Sequence, residues 1–295
     1  MVFSPQGIIP ALITPFNDDE SLDEEGLRGV VNYVLGGGVH GVFIAGSQGE
    51  SYALSCDERR RMLRVVVEEV NGRVPVYVGT GAVTTAKCIK LTREGAELGA
   101  DAVSIVTPYF IKPTQAELIE HYRTIAQAVE IPIVLYNHPL RTGINLETAT
   151  VKTLSQVENI VGIKNSGADL GQTMDYLLAC KQPFSVLSGY DAVIFPTLMM
   201  GGAGAVTACG NVVPRLFVDL YQAVQMGDCT RARDLQLRLF PLRKAFALGT
   251  FPSVVKEAMN LLGYRAGLTR APVGGLDDDR REALKQILRE LGVFS

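Results

Sequence analysis

A regular alternation constrains the fold of this chain more than any other feature. Short apolar, β-branched runs recur at Gly7–Ile13, Gly41–Ala45, Val74–Gly79, Ala102–Val106, Ile131–Tyr136, Ile160–Lys164, Ser185–Ser188 and Gly204–Thr207. The segments between them carry helical periodicity. Between the fourth and fifth runs, for example, Leu118, Ile119, Tyr122, Ile125, Ala126 and Val129 follow a capping Thr114. Strands joined by helical crossovers make a parallel sheet. Eight such repeats are the count of a closed (β/α)8 barrel, the TIM barrel, whereas a doubly wound open sheet usually has fewer strands. The expected fold is therefore α/β, with the barrel over residues 1–212. After about Val212 the strand signal stops, and Phe217, Leu220, Tyr221 and Val224 open a helical region broken only by a loop near Leu262–Asp279. Residues 213–295 are expected to form a C-terminal helical extension packed on the barrel, without a linker that would set it apart.

Composition narrows the function classes. With 47% hydrophobic and 20% charged residues, the 295-residue chain can bury a sizeable core. A net charge of −3 without a basic stripe offers nothing to nucleic acid or an anionic membrane. Cys56, Cys88, Cys180, Cys209 and Cys229 are odd in number and free of CxxC spacing, which suits free thiols in a reducing compartment. Neither they nor His40, His121 and His138 have metal-ligand spacing. The uncharged stretch Ala192–Pro214 is broken by Pro196, Gly201, Gly202, Gly204 and Gly210, and reads as a buried helix, turn and strand rather than a membrane span. Met1–Gly7 lacks the basic and apolar regions of a signal peptide. A cytoplasmic protein without a metal is expected.

In a (β/α)8 barrel, reactive groups stand at the C-terminal ends of the strands and in the loops that follow. Lys164 closes the sixth run, and Tyr136 closes the fifth. Burial favours the neutral amine of a lysine, which attacks ketones to form a Schiff base, and a neighbouring phenol can shuttle the protons required. A lone strand-end lysine more often snorkels to solvent; the pairing with Tyr136 is what argues for chemistry. After the second run, Gly46-Ser47-Gln48-Gly49-Glu50-Ser51 reads as a turn opening a helix, with backbone N–H groups and a hydroxyl suited to a carboxylate. Glu50 there reads as a cap or a bond to a neighbouring loop. Thr107-Pro108-Tyr109-Phe110 follows the fourth run, and His138 and Arg141 follow the fifth. An amine, a phenol, an anion cradle and a guanidinium are the equipment for activating a 2-oxo acid. Gly79-Thr80-Gly81 lacks the third glycine of a dinucleotide fingerprint, and no GxSxG or Walker sequence occurs.

Taken together, Pro10-Ala11-Leu12-Ile13-Thr14-Pro15-Phe16, Gly46-Ser47-x-Gly49-Glu50, Thr107-Pro108-Tyr109, Tyr136-Asn137-x-Pro139, Gly162-Ile163-Lys164 and Leu187-Ser188-Gly189-x-Asp191 resemble the N-acetylneuraminate lyase / dihydrodipicolinate synthase family of class I aldolases, over essentially the whole chain. The resemblance implies a (β/α)8 barrel with a C-terminal helical extension, a homotetramer built as a dimer of dimers, and a covalent imine between Lys164 and pyruvate. It implies no other cofactor. Tyr136 is implied as the proton relay and the Ser47/Gln48 turn as the holder of the pyruvate carboxylate, with Val206 among the substrate contacts. Tyr109 and Phe110 would face a neighbouring subunit.

The substrate is less constrained. Dihydrodipicolinate synthases carry two threonines at Ser47 and Gln48, and a tyrosine at Phe110 that reaches into the neighbouring subunit. Arg141, by contrast, matches their arginine for the carboxylate of the second substrate. Gly46-Ser47, Lys164-Asn165-Ser166 and Gly189-Tyr190-Asp191 resemble the sugar-acid lyases, although Ala192 replaces the glutamate that sialic-acid lyases use. The leading expectation is a pyruvate-dependent aldolase acting on a 2-keto-3-deoxy sugar acid or related 2-oxo acid, with Asp191 bonding an acceptor hydroxyl or serving structure. The alternatives are 4-hydroxy-tetrahydrodipicolinate synthase, a dehydratase or deaminase using the same iminium, and a binding protein that has lost the chemistry. The expected partners are a small 2-oxo acid and an aldehyde.

Overall fold

A computed structural model describes residues 3–181 and 183–294. Eight strands alternate with helices in the order β1 Gly7–Pro10, α1 Glu24–Gly36, β2 Val42–Ile44, α2 Cys56–Val70, β3 Val76–Gly79, α3 Thr85–Glu97, β4 Ala102–Val106, α4 Gln115–Gln127, β5 Ile133–Asn137, α5 Pro139–Thr142, α6 Thr148–Leu154, β6 Ile160–Asn165, α7 Leu170–Ala179, β7 Ser185–Ser188, α8 Ile194–Met199 and β8 Gly204–Thr207. Four further helices follow: α9 Pro214–Gln225, α10 Cys229–Lys244, α11 Ser253–Leu261 and α12 Asp278–Glu290. All strand pairs are parallel, each strand beside its sequence neighbours, with β1 against β8. A parallel bridge between Ala11 and Phe43 joins the end of β1 to β2 and completes the circle. This is the (β/α)8 barrel expected from the alternation.

The first three strands and β5 are shorter than their apolar runs, β4, β7 and β8 match theirs, and β6 runs one residue further, to Asn165. Pro10 has no N–H to continue a ladder, so β1 stops there and the chain to Ile13 is held by other bonds, including Asn211 Oδ1 on the Ile13 N–H at 3.1 Å. The period of two separates the strand faces, except in β6, where a register irregularity against Ile133 and Val134 of β5 leaves Val161 and Ile163 on opposite faces. Ile9, Phe43, Tyr77, Ala102, Val134, Val161, Leu187 and Val206 fill the inside of the barrel, one from each strand. Residues of the opposite face, such as Ile8, Ile44, Val78, Val103, Leu135 and Ile163, meet the helices in a second, larger core.

Side-chain caps set several helix starts. Asp23, Ser55, Thr84, Thr114, Asp169, Asp228 and Asp277 each accept a backbone N–H from the first turn they precede. Ser55 and Thr114 form reciprocal capping boxes with Glu58 and Glu117. The stretch expected as helix, turn and strand is α8, a turn and β8. No helix among the described residues is long and apolar enough to cross a membrane. Helix α9 packs on β1 and α1, while α10 and α11 return towards the C-terminal ends of the strands, where the chemically loaded loops lie.

Candidate active site

Across β5 and β6, Tyr136 and Lys164 are direct register partners. Their neighbours Leu135 and Ile163 belong to the outer core, so alternation turns the tyrosine and the lysine into the barrel mouth. Both are buried. The Lys164 ammonium lies 4.0 Å from the Tyr136 ring centre and 5.0 Å from that of Phe43, which floors the site. No ion pair among the described residues includes Lys164. Burial by itself pushes the Tyr136 phenol up; the Lys164 charge, with the adjoining Ser166, Ser47 and Lys164 side chains, outweighs it, leaving the pKa below the usual phenol value. A phenol so held gives up its proton more readily than one in water.

Glycine makes room for this pair. A Cβ at Gly189, just past β7, would lie 2.2 Å from Ser166 Oγ and 3.0 Å from Lys164 Cε. Ser166 donates to the Gly189 carbonyl at 3.0 Å, which fixes its hydroxyl beside Tyr136.

The site opens into a cavity of about 530 Å³ whose walls include Ser47, Gln48, Tyr136, Arg141, Lys164, Asp191 and Val206. Residues expected from distant stretches of sequence are thus brought together. The turn carrying Ser47 and Gln48 corrects one expectation: it does not open an α-helix. Glu50 adopts a left-handed conformation (φ +51°), a single 3₁₀ turn follows at Ser51–Ala53, and α2 starts only at Cys56 behind its Ser55 cap. The helix N-terminus is therefore not part of the cradle. What the turn offers is side chains: Ser47, whose hydroxyl acts on the Tyr136 phenol, and Gln48, buried to 2% exposure with neither amide atom partnered among the described residues.

The far wall comes from elsewhere. Arg141, on α5, stacks 4.2 Å over the Phe251 ring. Arg243, from α10, is sandwiched between Tyr190 at 4.6 Å and Phe246 at 4.7 Å. Neither guanidinium has a carboxylate partner among the described residues. His138 lines the same wall; burial, with the positive charges of Lys164, Arg141 and Arg243, lowers its pKa to about 3, so the imidazole is neutral near pH 7. Two fixed, unpaired cations above a buried amine can accept an anionic group of a second reactant.

Asp191 is engaged within the protein. Its carboxylate accepts the Cys209 N–H at 2.8 Å and the Ala208 N–H at 3.2 Å, and burial raises its pKa. Tyr109 and Phe110 stand outside the cavity, with Phe110 97% exposed at φ +75°. Arg243 and Phe251 escaped the reading of the sequence, whereas Ser166 was read within the Lys164-Asn165-Ser166 pattern but given no role of its own. Ser166, two residues after Lys164, carried a local signal; Arg243 and Phe251 carried none. Among the described residues no cluster of His, Cys, Asp and Glu could hold a metal.

Comparison with known proteins agrees with this architecture. The chain belongs to the dihydrodipicolinate synthetase family, whose model matches residues 4–291. It is 43% identical over 296 residues to 4-hydroxy-tetrahydrodipicolinate synthase of Methanopyrus kandleri, covering 100% of this chain and 99% of that one. The synthase of Methanocaldococcus jannaschii is 38% identical over 98% of this chain and 99% of its own length. Among solved structures, dihydrodipicolinate synthase from Thermotoga maritima superposes with a TM-score of 0.95 at 36% identity, covering 98% of this chain and 99% of that one. YagE of E. coli K12, solved in complex with pyruvate, gives 0.94 at 35% identity, with 98% and 99% covered. The protein is accordingly a class I aldolase, a carbon–carbon lyase that works through a lysine–pyruvate imine without an external cofactor.

Proposed function

We propose that this family member condenses pyruvate with aspartate semialdehyde, the reaction of a 4-hydroxy-tetrahydrodipicolinate synthase. The observation that carries the reading is the pair of unpaired, aromatic-stacked guanidinium groups, Arg141 and Arg243, on the wall of the cavity that ends at Lys164. They suit an acceptor bearing a carboxylate, and the relatives from methanogens share the synthase name. The sugar-acid reading that led on sequence grounds is weaker here. Asp191, its candidate for a hydroxyl contact, has its carboxylate occupied by two backbone N–H groups.

In this reading Lys164, as the free amine, attacks C2 of pyruvate; water leaves and an iminium forms. The iminium is an electron sink, so C3 loses a proton and the resulting enamine attacks the aldehyde carbon. Tyr136 carries protons to the departing water and the new alkoxide, assisted by Ser47 and Ser166. Ser47 and Gln48 hold the pyruvate carboxylate, Val206 packs against the methyl side, and Arg141 with Arg243 holds the acceptor carboxylate. The acceptor amine then displaces Lys164 from C2, closing the ring and freeing the enzyme. Asp191 serves as a positioning residue that fixes the turn after β8.

The enzyme is further proposed to be a cytoplasmic homotetramer. All five cysteines are free thiols, three of them buried. Large apolar side chains stand exposed at Phe110 and Ile111 after β4 and at Leu140 after β5, and at Leu178 on α7, Met226 just past α9 and Leu237 on α10, as two separate subunit contacts would require. Tyr109 and Phe110 belong to the first of these.

Borohydride trapping with pyruvate, read by peptide mass spectrometry, tests the nucleophile, and steady-state rates with aspartate semialdehyde against sugar-derived aldehydes test the acceptor. The expected result is an adduct on the Lys164 peptide, lost in Lys164→Ala, and a clear preference for the semialdehyde. Arg141→Ala is expected to raise KM for the semialdehyde by about 10- to 100-fold, with trapping intact, as for loss of a charge-assisted contact. Faster turnover of an uncharged sugar aldehyde would return the sugar-acid reading to first place.

A further inference from the structure

The turn that receives pyruvate is anchored from the far end of the chain. Glu50, at its C-terminal edge, is wholly buried and pairs with Lys256 of α11, which is also buried, at 2.7 Å. The second Glu50 oxygen accepts the Arg270 N–H at 3.0 Å. Lys256 donates in turn to the Leu268 carbonyl at 2.7 Å and lies 4.2 Å over the Phe16 ring. Three segments, the turn after β2, α11 and the loop at 268–270, thus meet on one buried ion pair.

We infer that the Glu50–Lys256 pair positions the Ser47/Gln48 turn for the pyruvate carboxylate, which makes Lys256 a positioning residue of the reaction; this rests on the pyruvate reading given above. The turn needs such an anchor. It is bracketed by Ala45 and Glu50, both at φ +51°, a conformation unfavourable for any residue with a Cβ. Gly49 has no side chain to hold, because a Cβ there would meet the Leu12 carbonyl at 2.9 Å, and its own carbonyl accepts the Thr14 hydroxyl at 2.6 Å. Gln48 has no hydrogen-bond partner among the described residues to hold it. Glu50 is the charged side chain of this turn, and among the described residues its ion pair with Lys256 ties the turn to α11. A fully buried ion pair contributes little net stability, since desolvation offsets its attraction, whereas its fixed geometry can select one arrangement of the backbone around it.

The test uses the full-length protein and reads pyruvate and aldehyde separately. In Glu50→Gln, the pyruvate concentration giving half-maximal borohydride trapping at Lys164, and KM for pyruvate, are expected to rise about 10- to 100-fold, as for a misplaced binding group. KM for the aldehyde is expected to stay unchanged. The double variant Glu50→Gln/Lys256→Met buries no charge and carries the same expectation if the single variant does not fold. A folded variant that traps pyruvate with the half-saturation of the unmodified protein overturns the positioning role and leaves the pyruvate reading standing. Failure of both variants to fold also overturns it, in favour of a role in stability alone. No adduct in the unmodified protein overturns the pyruvate reading, and this role with it.

Discussion

Lys164 and Tyr136 stand side by side because each ends a strand of the same face, one register step from the loops. Their closeness is what sets the phenol below its usual pKa against the opposing effect of burial. A phenylalanine at position 136 keeps the ring that packs 4.0 Å from the amine but removes the proton. Tyr136→Phe is therefore expected to lower kcat by about 10²–10⁴-fold, the range for general acid–base groups, with the fold intact by circular dichroism. Retention of full rate would exclude Tyr136 as the relay. Gly189 is constrained from the other side. An alanine there must displace Ser166 or Lys164, so Gly189→Ala is expected to abolish pyruvate trapping while the protein remains folded. Trapping at the normal rate would mean that the end of β7 yields instead.

At the scale of elements, the C-terminal helices supply parts of the site as well as cover for the barrel. Helix α10 brings Arg243, the segment before α11 brings Phe251 beneath Arg141, and α11 brings Lys256 to Glu50. The loop between α11 and α12 is fastened to α2 by Arg270, which bonds Glu58 and the carbonyls of Ala53 and Glu20. The Arg270 bond, followed by opposing burial and Ser55 contacts, holds the Glu58 carboxyl down at about 2 against an unperturbed 4.5. A carboxyl depressed in the folded state contributes stability that is complete above pH 4.5 and is lost as pH falls towards 2. Acid titration of Tm should therefore show a loss across that window, and Glu58→Gln should lower Tm at neutral pH while shrinking the acid-dependent part. An unchanged acid profile in Glu58→Gln would place the acid sensitivity elsewhere.

For the whole molecule, the barrel alone leaves apolar side chains in water at Phe110, which is 97% exposed, and at Leu178, which is 84% exposed. Sedimentation is expected to give a four-protomer species, and Leu178→Glu a smaller one, because a charge buried in a contact without a partner is costly. A monomer in both cases would contradict the assembly. The fold was largely legible in the sequence. Periodicity is a local property, and eight apolar runs separated by amphipathic segments leave few other ways to bury both faces of each strand. The placement of Lys164 and Tyr136 was legible for the same reason, since a strand end in a barrel fixes where a side chain points. The helix assigned to the Ser47 turn was misplaced, because nothing local announces that Glu50 takes a left-handed conformation held by Lys256, a partner 206 positions (256 − 50) along the chain. The rest of the acceptor wall was hidden in the same way. Arg141 was singled out in the sequence, but Phe251 and Arg243 acquire meaning only when closure of the barrel carries the C-terminal helices to its mouth. Short-range patterning of the sequence determined the elements and the strand-end positions of Lys164 and Tyr136. Only packing between distant segments decided which cations remain unpaired, and therefore which acceptor the cavity favours.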